Sequence, residues 1–293
     1  MQVSIGSSPP IYNPELSVII PTYNRGNYLD RTLNSLFKQD YPLSKYEVIV
    51  VDDASTDNTY KVLDKYLKKY SNLQVIRNNE NRGSDYARTL GVKMAKARVL
   101  VFTDSDCILY PDWLHKIAKR FENERVLCVQ GTQECKGKWG KFMYEGQEAI
   151  DFFKKRNILD TKNLALNRNL FLKYKFDPKM SSSCDYELGQ RLSKDIQIIY
   201  DPNISVIHVS DNFQSLLARG KRWGKAQAYT FKKHGQRSIN PKFKYPIILL
   251  FFYYLGALFY FSIKYRSLRG GIAFFTTTFT TALYYKKERT LSN

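Results

Sequence analysis

Two aspartates one residue apart, Asp104 and Asp106 in Thr103-Asp104-Ser105-Asp106, are the first residues whose type and spacing suggest chemistry. Carboxylates so placed on a turn can hold a divalent cation and reach a ribose hydroxyl. Mg2+ in particular takes one or two carboxylates and then bridges substrate phosphates. As a Lewis acid, such a cation stabilises a diphosphate that is leaving. An acidic surface loop is the plainer reading, because the pair is common. A second pair, Asp52-Asp53, lies in Val51-Asp52-Asp53-Ala54-Ser55. It reads as a cap for the following helix, shared with Ser55, Thr56 and Asp57, or as a contact from Asp53 to a base or ribose. Arg82 and Arg88, near the start of a helix, are candidates for a nucleotide or its phosphates. Arg219, Lys221 and Arg222 are further cations able to neutralise a diphosphate by charge-assisted hydrogen bonds. No Gly-x-Ser-x-Gly elbow occurs and no Ser–His–Asp set can be assigned, which argues against nucleophilic hydrolysis.

These residues need a frame that brings them together. Apolar, β-branched runs at 16–20, 47–51, 73–76 and 98–103 predict strands. Amphipathic stretches at 28–37, 59–70 and 83–96 predict helices between them. The alternation implies an α/β domain with a mostly parallel central sheet flanked by helices. Ligands of such sheets bind beyond the carboxyl ends of the strands. Thr22-Tyr23-Asn24, Asp52-Asp53 and Asp104-Ser105-Asp106 each follow a predicted strand, so three segments converge on one rim. Residues 161–166 read as another strand, 185–192 as a short helix with acids in its first turn, and 211–234 as a long basic helix. The first 14 residues read as a polar tail.

Pro21–Asn24 (PTYN), the VDDAS run with Thr56-Asp57 after it, Asn81–Gly83 (NRG) and Asp104–Asp106 (DSD) resemble, in order and separation, the inverting family 2 glycosyltransferases of the GT-A fold. The likeness runs from about residue 16 to residue 226. It implies a nucleotide-diphospho-sugar donor, a UDP-sugar being favoured, with Thr22, Tyr23, Asp52, Asp53 and Arg82 at the nucleoside and Asp104 near the ribose. It also implies Mn2+ or Mg2+ at Asp106, with His208 of Val206-Ile207-His208-Val209 completing the metal site beside Asp104. Cys184-Asp185-Tyr186-Glu187-Leu188 is similar to the family's acidic motif, with Cys184 where an acid is usual. Asp185 is then the favoured general base and Glu187 the other candidate. Arg88, Glu187, Arg219, Arg222 and Trp223 fall on the diphosphate and acceptor side. Arg222-Trp223 resembles a pair in processive synthases, although Arg219 stands where those enzymes carry Gln. Residues 162–168 resemble the segment bordering the acceptor, and Trp139, Phe142 and Tyr144 are candidates for stacking on a sugar.

The formal charge of +19, from 46 Lys and Arg against 27 Asp and Glu, calls for an anionic partner. No recognised nucleic-acid motif accompanies it, so specific nucleic-acid binding is not expected. Residues 245–263 are uncharged and flanked by Lys244 and Lys264, long enough for one membrane crossing. Residues 270–285 read as a second crossing or an interfacial helix; a buried hairpin is the alternative for both. The layout expected is a tail (1–14), a catalytic domain (15–210), a basic helical extension (211–243) and a membrane-associated segment (244–293). The N-terminus lacks the basic start and apolar run of a signal peptide, and the spacing of the four cysteines suits buried, reduced thiols. Together these place the chain at the cell membrane with its catalytic domain on the cytoplasmic side, acting on a lipid-linked or surface-glycan acceptor. A catalytically inactive nucleotide-sugar-binding or scaffold protein is the competing reading.

Overall fold

The computed structural model describes residues 2–5, 13–136, 145–180, 183–209, 213–234 and 268–290, with isolated helical positions at 255, 258, 260 and 263. Its frame is a nine-stranded sheet in the order β1-β4-β3-β2-β5-β8-β7-β9-β6. The strands are β1 (Gln2–Ile5), β2 (Leu16–Thr22), β3 (Tyr46–Asp52), β4 (Leu73–Arg77), β5 (Val99–Phe102), β6 (Cys107–Leu109), β7 (Cys128–Lys136), β8 (Leu164–Asn167) and β9 (Ile199–Val209). The helices are α1 (Gly26–Leu36), α2 (Thr59–Leu67), α3 (Ser84–Met94), α4 (Trp113–Phe121), α5 (Gly146–Arg156), α6 (Arg168–Tyr174), α7 (Cys184–Leu192), α8 (Phe213–His234) and α9 (Leu268–Thr290).

Strands β2 and β3 are apolar at successive positions because both faces of the sheet are covered, and all seven residues of each are buried. Their side chains alternate between two cores. Val18, Ile20, Val48 and Val50 pack with Leu29, Leu33, Leu63 and Trp113 of α1, α2 and α4. Ile19, Ile49 and Val51 pack on the other face with Ala87, Leu90, Phe171 and Leu188 of α3, α6 and α7. Each such aliphatic side chain stabilises the fold by about 1.5–3 kcal/mol when fully buried. Away from the site, the buried carboxylate of Glu47 accepts from Ser17 Oγ at 2.6 Å, Gln74 Nε2 at 3.0 Å and the Lys96 N–H at 2.6 Å.

The mostly parallel sheet expected from the sequence is mixed. The block β4-β3-β2-β5 is parallel, as is β7 with β9, whereas β1, β8 and β6 run against their neighbours. The physical reason lies in β8, which pairs Leu164 with Phe102 and Asn167 with Val99. It begins at the rim where β5 ends, so the chain just before it is delivered to the carboxyl rim as well. Gln2–Ile5 is not a loose tail; it pairs antiparallel with β4 from Gln2↔Arg77 to Ile5↔Gln74. The strand expected at 161–166 starts only at Leu164, and Thr161 belongs to the turn ahead of it.

All four cysteines are buried, and none is in a disulfide. The uncharged stretch at 245–263 lies outside the described residues apart from its four isolated positions, as do Trp139, Phe142 and Tyr144. Among the described residues no helix is long and apolar enough to cross a membrane. Residues 270–285 belong to α9, which packs along α8: a Cβ on Gly224 would fall 2.4 Å from the Thr281 carbonyl oxygen and 2.8 Å from Tyr284 Cβ.

The seat of α7 is similarly tight, since a Cβ on Gly189 would lie 2.3 Å from the Asn157 carbonyl oxygen. Gly189→Ala is expected to cost about 1–3 kcal/mol, as overpacking does. A urea titration followed by circular dichroism checks this through a lower midpoint at unchanged slope.

Candidate active site

The parallel register aligns Thr22 with Asp52. Three loops therefore leave the same rim, and their side chains tie them to one another. Asn24 adopts a left-handed conformation (φ 51°) and its Oδ1 accepts from the Thr56 N–H at 2.7 Å, while its own N–H donates to Ser55 Oγ at 2.8 Å. Asp57 takes over capping of α2, accepting from the Thr59 N–H at 2.9 Å.

The two aspartates after β3 have separate duties. Asp52 is fully buried; one oxygen accepts from the Ser55 N–H at 2.9 Å and the other lies 3.6 Å from Arg77 Nε. It is turned into its own loop and away from solvent, unlike the nucleoside contact expected from the sequence. Asp53, also buried, accepts from Asn78 Nδ2 at 2.7 Å, the Arg82 N–H at 3.0 Å and the Gly83 N–H at 2.7 Å. Gly83 sits at φ 93°, where a side chain is disfavoured, and opens α3. Asp53 thus fixes the loop that presents Arg82, whose guanidinium is half-exposed and stacks 4.3 Å from the Tyr86 ring centroid. Tyr23 is exposed beside this rim, and Thr22 Oγ1 is buried with no hydrogen-bond partner among the described residues.

Arg88 was expected near phosphates, but its guanidinium is buried. Nη1 donates to Asp85 at 2.8 Å and Nη2 to Asp104 at 2.5 Å. Asp104 remains partly open on its other side. Asp106 faces His208, because β6 pairs with β9 in the register Cys107↔His208. Their nearest atoms are 3.6 Å apart, a contact too long for a hydrogen bond. Burial pushes the Asp106 carboxyl up, but His208, Arg25 and Lys162 outweigh it and hold the group below the usual carboxylate range.

The fit of this corner to a divalent cation rests on two orphaned atoms. Asp106 Oδ1 and His208 Nδ1 are buried without hydrogen-bond partners among the described residues. A carboxylate oxygen and an imidazole nitrogen suit Mn2+ better than Mg2+, which prefers oxygen, as part of a shell that substrate phosphates complete. The expected trio is not gathered, since one oxygen of Asp104 is committed to Arg88. Among the described residues no group of three His, Cys, Asp or Glu side chains is placed to hold an ion alone.

Asp185 sits in the first turn of α7. Its Oδ2 accepts from the Thr161 N–H at 2.9 Å and Thr161 Oγ1 at 3.0 Å, and its Oδ1 accepts from the Tyr186 N–H at 2.9 Å. Burial, followed by the nearby charges of Asp160 and Asp85, pushes its carboxyl up to about 6; Arg88 and the Thr161 N–H oppose this without cancelling it. Asp160 itself, although burial raises it, is held low by Lys162, whose Nζ lies 2.5 Å from one of its oxygens. Glu187, the other candidate base, is fully buried. Arg191 holds it at 2.7 Å, with Lys233 and His234 each at 2.8 Å. That cluster joins α7 to the carboxyl end of α8 and leaves Asp185 as the carboxylate suited to take a proton. Cys184 is buried, its N–H donating to Asp85 at 3.1 Å.

In the amino half of α8, Arg222 is exposed and Trp223 half-buried; the Arg219 side chain lies outside the described part of that helix. Thr161, Asp160 and Asp85 escaped sequence reasoning. Asp85 alone left a trace, as an acid three residues ahead of Arg88 on a helix, the spacing of an intrahelical pair. Because Asp53 organises the 78–83 loop through three donors, Asp53→Ala should lower stability by about 1–3 kcal/mol. It should also weaken UDP binding at least about tenfold, the factor that 1.4 kcal/mol represents; calorimetric titration checks this.

Comparison with known proteins is consistent with this geometry. Residues 17–176 match the glycosyl transferase family 2 domain. Glycosyltransferase AglE of Haloferax volcanii is 32% identical over 160 residues, covering 55% of this chain and 53% of AglE. The poly(ribitol-phosphate) beta-N-acetylglucosaminyltransferase TarS of Staphylococcus aureus is 44% identical over 93 residues, covering 31% of this chain and 16% of TarS. The chain thus spans about half, or less, of the length of these two relatives. Among solved structures, the mannosyltransferase PcManGT from Pyrobaculum calidifontis, in complex with GDP-Man and Mn2+, superposes with a TM-score of 0.68 at 18% identity, covering 98% of this chain and 90% of that one. Residues 1–349 of TarS in complex with UDP-GlcNAc give 0.61 at 18% identity, covering 94% and 92%. The mixed sheet flanked by helices is accordingly a GT-A-like α/β fold. Motifs, rim and fold agree, and the chain belongs to glycosyl transferase family 2.

Proposed function

We propose that this chain transfers a sugar, with inversion, from a nucleotide-diphospho-sugar to a hydroxyl of a lipid-linked or surface-glycan acceptor. Asp185 acts as the general base. The observation that carries this reading is the placement of Asp185: one oxygen is fastened by Thr161, and the group's proton affinity is raised. A general base works best when its proton affinity lies near the operating pH. In the step itself the acceptor oxygen bonds to the anomeric carbon, the bond from that carbon to the diphosphate oxygen breaks, and the acceptor proton passes to Asp185. The nucleoside diphosphate departs with the electron pair.

Tyr23, Arg82 and the Asp53-organised loop receive the nucleoside, and Asp104 lies toward the ribose and diphosphate. Asp106 and His208, with Asp104 beside them, would hold Mn2+ or Mg2+, which supplies Lewis-acid stabilisation of the departing diphosphate. The solved relatives divide on the nucleotide, one carrying GDP-Man and the other UDP-GlcNAc. A UDP-sugar is the donor proposed here, as in the complex of TarS, which is 44% identical to this chain over 93 residues.

Work at the cytoplasmic face of the cell membrane belongs to the same proposal. No acidic residue occurs between Asp211 and Glu288, a stretch dense in Lys and Arg, and such stretches are drawn to anionic headgroups. Leu217, Tyr260, Ile263 and Leu283 in that region are exposed. Four buried cysteines, none of them in a disulfide, suit a reducing compartment. An inactive binding protein would have no use for a fastened carboxylate of raised proton affinity.

The test is turnover of UDP-glucose, UDP-N-acetylglucosamine and GDP-mannose in Mn2+ or EDTA, with membrane extract as acceptor. Asp185→Asn should lower kcat by about 10²–10⁴-fold, the usual worth of a general base, while UDP binding persists. The wild-type kcat/KM should fall as pH drops below about 6, because protonated Asp185 cannot accept the acceptor's proton. Turnover retained by the variant, or no turnover of any donor, overturns the proposal.

A further inference from the structure

The buried guanidinium of Arg88 does more than fill the space under the rim. On one side it donates to Asp104 and on the other to Asp85, with side chains of Arg88 and Asp85 only 6% and 7% exposed. The second oxygen of Asp85 accepts the N–H of Cys184, the first residue of α7. The residue before it, Ser183, is held in a left-handed conformation (φ 58°, ψ 34°), which a residue with a side chain adopts only when its surroundings impose it. Asp104, Arg88, Asp85 and Cys184 therefore form a continuous chain of polar contacts. It runs from the acidic turn after β5 to the first turn of the helix that carries Asp185. An acid at a helix amino terminus is itself favourable, and the one guanidinium spans both carboxylates in a poorly solvated place. Arg88 Nε is buried without a hydrogen-bond partner among the described residues, so the two Nη bonds fix its orientation.

We propose that Asp85 and Arg88 are positioning residues, which join the Asp104 turn to the amino end of α7 and so set the base Asp185 relative to the donor. The inference rests on the reading of Asp185 as the base. It assigns Arg88 a place inside the protein instead of a contact with the diphosphate. The alternative is a merely structural ion pair, which would affect stability and leave the reaction alone. The charged groups around Asp185 are Asp160, Asp85 and Arg88, with Lys162 bound to Asp160. Removing the charge of Asp85 thus takes one of the two carboxylates away from Asp185 while leaving its Thr161 bonds intact.

The experiment uses the full chain, UDP as binding probe and whichever of the three donors the wild type turns over. For Asp85→Asn, kcat should fall about 10–100-fold, as small misplacements of a reacting group do. The donor KM and UDP affinity should stay within about threefold, since ground-state binding is untouched. The acid limb of kcat/KM should move to lower pH, and amide hydrogen exchange should quicken across residues 183–187. Arg88→Lys keeps the charge but cannot fork across both carboxylates. Its kcat should fall by the same order with the acid limb in place, and Arg88→Met should be worse than Arg88→Lys. A lower melting temperature in Asp85→Asn with wild-type kcat and acid limb overturns the proposal. If that variant is insoluble, wild-type kcat in Arg88→Lys overturns it equally. Asp185→Asn separates the two layers. If it remains active, the base reading falls and the relay with it; if it is inactive while Asp85→Asn and Arg88→Lys behave as wild type, only the relay falls.

Discussion

Parallel strands end together, and this constraint governs the molecule. Hydrogen bonding of β2 with β3 and β5 in one direction leaves Thr22, Asp52 and the approach to Asp104 on a common rim. Everything polar that the chain needs to gather must then be carried by loops leaving that rim or entering it. The loops cannot float, since their backbone groups need partners. Asn24, Asp53 and Asp57 spend side-chain oxygens on N–H groups of neighbouring segments, and Asp52 spends one on its own loop. Polar residues that look like ligands in a sequence are in this way consumed by the scaffold that presents the remaining ones.

The same economy explains how charge is buried. An isolated ion in a protein interior is costly, and it persists when paired and hydrogen-bonded. Glu47 is met by neutral donors, Glu187 by three cationic or ionisable side chains, and Arg88 by two carboxylates. Asp185 differs from all of these. It accepts from Thr161 and Tyr186, yet its nearest charged neighbours include two carboxylates. The acids of α7 thereby part company: Glu187 is neutralised into the packing between α7 and α8, and Asp185 keeps an unsatisfied appetite for a proton.

Much of the frame was legible because it obeys local rules. The apolar runs of β2, β3, β4 and β5 and the amphipathic α1, α2 and α3 repeat at the periods of their elements, and the acidic turn after β5 stands where an α/β rim collects ligands. The second half was less so. β9 contains Asp201, Pro202 and Asn203, residues disfavoured in strands; they fall in the register shift between Tyr200 and Ser205, and pairing with β7 on both sides of it carries the strand across. β1 owes its existence to the free edge of β4 instead of its own composition. Asp104, Asp106 and Asp185 stood out by position and motif; Asp85, Thr161 and Asp160 did not, because those residue types are ordinary, and Asp160 and Thr161 reach the rim only through the return of β8, Asp85 through the first turn of α3. Arg88 was visible as a cation, but a charged residue gives no sign in the apolar period of its helix that it is buried, and the pairing with Asp85 and Asp104 that buries it is seen only in the structure.

The reversed direction of β8 divides the residues around the rim into two walls that are held in different ways. One wall, with Thr22, Asp53 and Asp104, hangs from the ends of parallel strands and is locked into the sheet by register. The facing wall, with Asp160, Thr161 and Asp185, is delivered by segments that precede β8 and open α7. Insertions or replacements there leave the pairing of β2, β3 and β5 untouched. The fold therefore separates a wall fixed by strand register from a wall set by loops, so the shape of the second is open to change without rebuilding the first.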